Sequence, residues 1–202
     1  MAQSPQECLD RLAERDSALA NGAAPELDLE SKLEKLAFED VKVQSEVVGR
    51  GQRQLTATIP IPHTPKQIWP ILTDYEGLAD FVPSLVSSQK LAHPEGGIRV
   101  EQVGTERLLR LNFSARVVLD ITESFPEQIR FQMVEGDFRD FSGCWQLNPN
   151  SDLPGTELCY NLLIWPKHTT VVRLIESRLK RNVALNLVGI RQQVAQWYGA
   201  NP

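Results

Sequence analysis

The chain of 202 residues contains no long hydrophobic run. Its apolar stretches last only a few residues, whereas a membrane-spanning helix needs about 20. The opening residues, MAQSPQECLDRLAERD, lack the apolar stretch of a secretory signal. Cysteine is scarce and odd in number: Cys8, Cys144 and Cys159. This usage fits free thiols in a reducing compartment, so the expected location is cytoplasmic. A Cys144–Cys159 bridge would require their strands to be neighbours. Histidine is equally scarce. His63, His93 and His168 have no second histidine or cysteine at metal-ligand spacing, and all three read as surface side chains. There is no glycine-rich phosphate loop after a strand and no G-x-S-x-G nucleophile turn. No metal or cofactor is therefore expected. Nor is there a strong basic excess, because the formal net charge is -5, which argues against DNA binding.

The charge is uneven. Residues 1–40 hold ten acidic and four basic side chains, while residues 41–202 are close to neutral with 16 acidic and 17 basic. This divides the chain into an acidic N-terminal extension, 1–40, and a domain, 41–202. Within the extension, residues 6–21 read as a short helix with a weak apolar stripe, and 27–38 fit either a helix or a strand start.

The domain is organised around its last segment, Val171 to Tyr198. Val171, Ile175, Leu179, Val183, Leu187, Ile190, Val194 and Trp197 recur at steps of three and four, which is one face of a helix. At 1.5 Å per residue it would run about 40 Å. Arg173, Arg178, Lys180, Arg181 and Arg191 give it a modest basic face. Upstream, residues 41–61 read as extended and broken at Gly49-Arg50-Gly51, either a hairpin or one long bent strand. Leu55, Ala57, Ile59 and Ile61 alternate onto one face. Thr64-Pro65 with Gln67 forms a helix start with a capping box, and two short helices follow as far as Pro83. Six further strands are predicted at 85–91, 98–109, 111–124, 128–134, 141–147 and 156–165. Short links between them imply antiparallel pairing.

The expected fold is α+β: a curved antiparallel sheet of about seven strands wrapped around a long C-terminal helix, with two short helices after the first strand. Its inward faces hold almost no charge. Phe113, Phe131, Met133, Trp145, Tyr160 and Leu162 line either a core or an apolar pocket between sheet and helix. Trp69 and Phe81 of the helical insertion, and Leu179, Val183 and Leu187 of the long helix, join them as candidate ligand-binding residues. Ala57, Ala115 and Gly143 on the same faces leave room. The two short helices would stand at the pocket mouth as a lid.

Residues 68–91, IWPILTDYEGLADFVPSLVSSQKL, and 166–194, PKHTTVVRLIESRLKRNVALNLVGIRQQV, carry a resemblance. Through Trp69, Thr73-Asp74-Tyr75, Phe81, Pro83 and the Leu179-to-Leu187 helix, residues 41–198 resemble the START-like helix-grip superfamily (SRPBCC). Within it they are similar to the polyketide cyclase/dehydrase branch, which includes coenzyme Q-binding START proteins and ribosome-association toxins. The resemblance implies a lipid, isoprenoid quinone or polyketide-like ligand between sheet and helix. It leaves a ribosome or other protein partner, a transient membrane contact, and cyclase chemistry as alternatives.

A cyclase needs polar groups oriented to stabilise developing oxyanion charge, with a pKa suited to proton transfer. Asp74 and Glu76 stand near the expected mouth, and Asp74 also suits a cap over the turn into Gly77. Glu101, Glu106 and Arg110 lie where a strand could bring them to the cavity. Arg116 and Asp120 should face solvent. Tyr160 is the best inward polar group. These do not assemble into a catalytic set, so the expectation is a binding or transfer protein, with a macromolecular interaction role and an enzyme kept as alternatives.

Overall fold

The computed structural model describes residues 38–108, 111–150, 155–167 and 169–200, with the side chains of all of these except 106–108, 111–113 and 169–176. The expected helices within 1–37 and the side chains of Glu106, Arg110, Phe113 and His168 lie outside the described residues. Among the described residues no helix is long and apolar enough to cross a membrane.

Among the described residues, eight strands form one antiparallel sheet: β1 (Lys42–Gly49), β2 (Gln52–Ile61), β3 (Leu85–Leu91), β4 (Ile98–Leu108), β5 (Leu111–Ser124), β6 (Gln128–Gly136), β7 (Phe138–Pro149) and β8 (Thr156–Pro166). The spatial order is β1-β2-β8-β7-β6-β5-β4-β3. Residues 41–61 are thus a hairpin, and the first strand becomes a sheet edge. After β2 come α1 (Pro65–Thr73) and α2 (Leu78–Phe81), and after β8 comes the long α3 (Thr169–Tyr198).

Period-two patterning decides which face of each strand meets α3. On β2, Leu55, Ala57, Ile59 and Ile61 are at most 1% exposed, while Gln54, Thr56 and Thr58 between them are only half-buried. On β8, Leu158, Leu162 and Ile164 repeat the pattern, registered against Ile59, Leu55 and Arg53 of β2. From α3, Val183, Leu187, Ile190 and Val194 face this surface at 0–4% exposure. Burying each such side chain contributes about 1.5–3 kcal/mol before conformational entropy is set against it.

The short helices are fixed at their ends by local chemistry. Thr64 precedes Pro65, and the Gln67 side-chain oxygen accepts a hydrogen bond from the Thr64 N–H at 2.9 Å, closing the start of α1. Asp74 ends it, its carboxylate accepting from the Gly77 N–H at 3.2 Å. Pro70 sits on the exposed side of α1.

α2 is held against α3 in a way the hydrophobic pattern does not predict. A Cβ built on Gly189 of α3 would overlap the carbonyl oxygen of Phe81. Beside it, Asn186 donates to the Ser84 hydroxyl at 2.8 Å and accepts from the Ser84 N–H at 3.3 Å. The two helices touch backbone to backbone at Gly189. Gly189→Ala would gain about 1 kcal/mol of helix propensity, but the obstacle is a backbone carbonyl that has no rotamer to move. We expect a net loss of about 1–3 kcal/mol, measured by urea unfolding.

His63 departs from the sequence expectation. It is 1% exposed, not a surface residue. Its carbonyl accepts from the Thr156 hydroxyl at 2.6 Å, and its ring stands 6.1 Å from that of Tyr198. The end of α3 covers the loop that follows β2, so a position before a helix cap becomes interior. His93 is also partly enclosed, with its Nε2 3.4 Å from Asp120.

Candidate functional site: an apolar cavity under the long helix

The sheet curves away from α3 over β4–β7, and a single stripe of helix side chains does not fill the gap. What remains is a cavity of about 450 Å³, within the usual size of small-molecule sites. It reaches the surface at one end of the sheet. There the wall includes Thr105 and Ser114 of the β4–β5 hairpin, Asp137 between β6 and β7, and Lys167 after β8, all exposed. The inner end is closed by Ile121, Ile129 and Ile190.

The walls differ in chemistry. One side is aromatic. From the mouth inward, Phe138 stands 5.5 Å from Phe141, Phe141 5.8 Å from Phe131, Phe131 5.9 Å from Tyr160, and Tyr160 4.1 Å from Trp145. Strands β6, β7 and β8 lie side by side, and their inward residues place five rings in an unbroken series. Such pairs gain about 0.5–1.5 kcal/mol each beyond area burial. The other side is aliphatic, with Leu72, Leu78, Val82 and Leu85 from the α1–β3 region and Val117, Leu119 and Ile121 from β5. Asn182 and Asn186 of α3, Gln102 of β4 and Ser84 add neutral polar groups.

Of the residues the sequence singles out, Phe131, Trp145, Tyr160, Leu162, Leu179 and Val183 line this cavity. Four others do not. Trp69 is buried outside it, edge-on to Phe125 at 5.3 Å. Phe81 turns its backbone to Gly189, and its neighbours Leu78 and Val82 reach the cavity instead. Met133 sits beside the bulge where the β5–β6 register shifts. Leu187 is 0% exposed and belongs to the packed core beneath β2 and β8. The small residues also differ from expectation. Ala115 opens onto the cavity, but Ala57 is fully buried. The space over Gly143 is already taken: the Phe131 ring comes within 2.8 Å of where a Cβ would be, and the Asn161 carbonyl is closer still.

Sequence reasoning misses Leu72, Tyr75, Leu78 and Val82 and takes the larger Trp69 and Phe81 from the same segment instead. It also misses Asn182 and Asn186. Their signal is present: two amides four residues apart, each next to a residue of an otherwise apolar helix stripe.

The carboxylates considered for catalysis stand elsewhere. Asp74 is a helix cap. Glu101 does not enter the cavity; it accepts from Gln89 at 2.8 Å and pairs with Arg116, which also reaches Glu135 at 2.6 Å. Asp120 is bound by Arg99 through two bonds of 2.6 and 2.8 Å. Hydrogen bonding from Arg99 holds the Asp120 carboxyl below its usual range. These pairs lie on the solvent-facing side of β4–β6, as expected for Arg116 and Asp120.

Two tyrosines in the wall have perturbed phenols. Tyr75 is raised well above its ordinary value, mainly by burial and further by its 2.6 Å hydrogen bond to Glu123. Tyr160 is raised by burial first, then by the neighbouring Cys144. Cys144 and Cys159 are unpaired thiols on the adjacent strands β7 and β8. The Asn161 amide nitrogen lies 3.9 Å from the first sulfur and 3.4 Å from the second. Among the described residues no cluster suited to a metal ion occurs.

Residues 61–188 match the model of a protein family described as polyketide cyclase/dehydrase and lipid transport. No curated protein matches the chain. Among solved structures, a protein of Thermus thermophilus is similar at 21% identity and a TM-score of 0.62, covering 72% of this chain and 99% of its own. A STAR-related lipid transfer protein of Xanthomonas axonopodis is similar at 14% identity and 0.61, covering 78% and 95%. The Zhui aromatase/cyclase of a Streptomyces species is similar at 16% identity and 0.59, covering 72% and 94%. At these identities the likeness is one of fold, the helix-grip arrangement.

Proposed function

The chain belongs to the polyketide cyclase/dehydrase and lipid transport family, and from that footing we propose that it holds and delivers one hydrophobic small molecule in the cavity under α3. The observation that carries this reading is the lining: apolar on nearly every side, open at one end, and too large for the surrounding side chains to close. Transfer of apolar ligand surface out of water supplies the affinity, at about 25 cal/mol per Å² before the costs of association.

The aromatic series from Phe138 to Trp145 favours a ligand with a planar, unsaturated ring system, an isoprenoid quinone or a polyketide-like molecule, over a purely saturated acyl lipid. We read the protein as a carrier and not an enzyme. Among the described residues, the cavity wall inside the mouth carries no carboxylate, imidazole or amine to move a proton. Free thiols at Cys144 and Cys159 suit work in the reducing cytoplasm.

The direct test is gentle purification from native cells followed by native mass spectrometry and extraction. One ring-bearing hydrophobic molecule per chain is the expected result. An empty protein that also fails to take up any hydrophobic probe in vitro would overturn the reading.

A further inference from the structure

The cavity holds several hydrogen-bonding groups, and nearly all are occupied by the protein itself. Tyr75 donates to Glu123 at 2.6 Å. Gln102 donates to Ser88 at 3.3 Å. Asn186 is engaged in both directions with Ser84, and Asn182 has an interaction of its own. Lys167 donates to the Gly136 carbonyl at 2.9 Å. Thr105 and Ser114 stand at the exposed mouth, where water serves them. The phenol of Tyr160 is different. It lies inside, between Trp145 and Phe131, and has no hydrogen-bond partner among the described residues. Its hydroxyl faces the cavity, so a ligand acceptor can take its hydrogen bond, worth about 0.5–1.5 kcal/mol net.

We infer that Tyr160 is the specificity-determining donor of this cavity, and that the ligand it selects is a neutral molecule bearing a carbonyl oxygen on its ring system. This rests on the carrier reading above and narrows it. Three features converge. The rings on both sides of Tyr160 fix the ligand's plane, so an acceptor on that plane comes within reach of the phenol. Burial keeps the phenol protonated well beyond its ordinary range, so it donates and does not accept a proton. Charged side chains among the described wall residues, Asp137 and Lys167, are confined to the mouth. Among the described wall residues, an ionised ligand group in the interior would find no counter-charge, which is strongly unfavourable. Phospholipid headgroups and free fatty-acid carboxylates are excluded on that ground, unless they remain at the mouth.

Among the described residues, the indole N–H of Trp145 is a second donor beside the phenol, so it supplies the control. Equilibrium dialysis with fluorenone, fluorene and fluorene carboxylate separates the contributions, because the three share one ring skeleton. The full chain should bind fluorenone about tenfold more tightly than fluorene, the worth of one hydrogen bond. It should bind the carboxylate more than about a hundredfold more weakly than fluorenone. Tyr160→Phe, which removes a single oxygen, should reduce the preference for fluorenone to less than about twofold, while Trp145→Phe should retain it. The inference is overturned if Tyr160→Phe keeps the tenfold preference, if the preference is lost with Trp145→Phe instead, or if the carboxylate binds as tightly as fluorenone. Those outcomes leave the carrier reading intact as long as fluorene binds and Leu162→Trp blocks it. Failure of all three probes to bind the wild-type chain would count against the carrier reading as well.

Discussion

Leu162→Trp is expected to abolish uptake of any cavity ligand, with affinity falling by at least about a hundredfold, while the domain stays folded. Leu162 sits at the centre of β8, registered between Leu55 of β2 and Gly143 of β7, and its side chain forms part of the cavity wall. An indole there extends into the void. Overpacking a closed core costs about 1–3 kcal/mol because neighbours must shift; here most of the added volume has somewhere to go. The ligand would have to displace a ring held by the same aromatic wall it needs, next to Tyr160 and Phe131. Native mass spectrometry would read occupancy, and a thermal melt within a few degrees of wild type would show that the fold survives. A folded Leu162→Trp protein with undiminished affinity would place the ligand elsewhere.

The fold is largely legible in the sequence because its determinants are local and periodic. Leu55, Ala57, Ile59 and Ile61 alternate, and so do Leu158, Tyr160, Leu162 and Ile164. Each set meets the interior as the period of two requires. Thr64, Pro65 and Gln67 announce α1 by the chemistry of the donors they satisfy. The cavity is less legible, because periodicity reports direction and not distance. It tells that a residue points inward; it does not tell whether another side chain or empty space lies opposite. Val183 and Leu187 are one helical turn apart on the same stripe, yet the first borders the cavity and the second is packed solid. Ala115 and Ala57 are equally small and inward, and only the first meets open space. That difference is set by where the sheet bends away from α3, a property of eight strands together.

Two misreadings share another cause. His63 reads as exposed from its place before a helix cap, and Phe81 as a wall residue from its hydrophobicity. Both outcomes are decided by long-range covers. The C-terminal turn of α3 lies 135 residues after His63 at Tyr198, and Gly189 lets the backbone of α2 settle directly on α3. A sequence window around either residue holds no trace of its cover. The same close approach alters the role expected for the short helices. With Asn186 and Ser84 bonded in both directions and Gly189 against Phe81, α2 is a fastened part of the wall.

Leu187→Ala follows from this distinction and should have the largest effect on stability. Leu187 is 0% exposed on the stripe that packs against β2 and β8. Its truncation removes three carbons from a space that the surrounding strands cannot close, since Leu55, Ile59 and Leu158 are held by their ladders. A loss of about 2–5 kcal/mol is expected, a large part of the roughly 5–15 kcal/mol that stabilises a typical domain. Val183→Ala, one turn earlier, should cost less, because its side chain already borders a void and its removal enlarges that void instead of opening a new one. Urea unfolding of both variants gives the comparison. Ligand binding discriminates in the opposite sense: the fraction of Leu187→Ala that remains folded should bind with an affinity within about threefold of wild type, whereas Val183→Ala should change it more. If Leu187→Ala cost under about 1 kcal/mol and weakened binding tenfold, Leu187 would be a wall residue after all, and the cavity would extend further beneath α3 than its present lining.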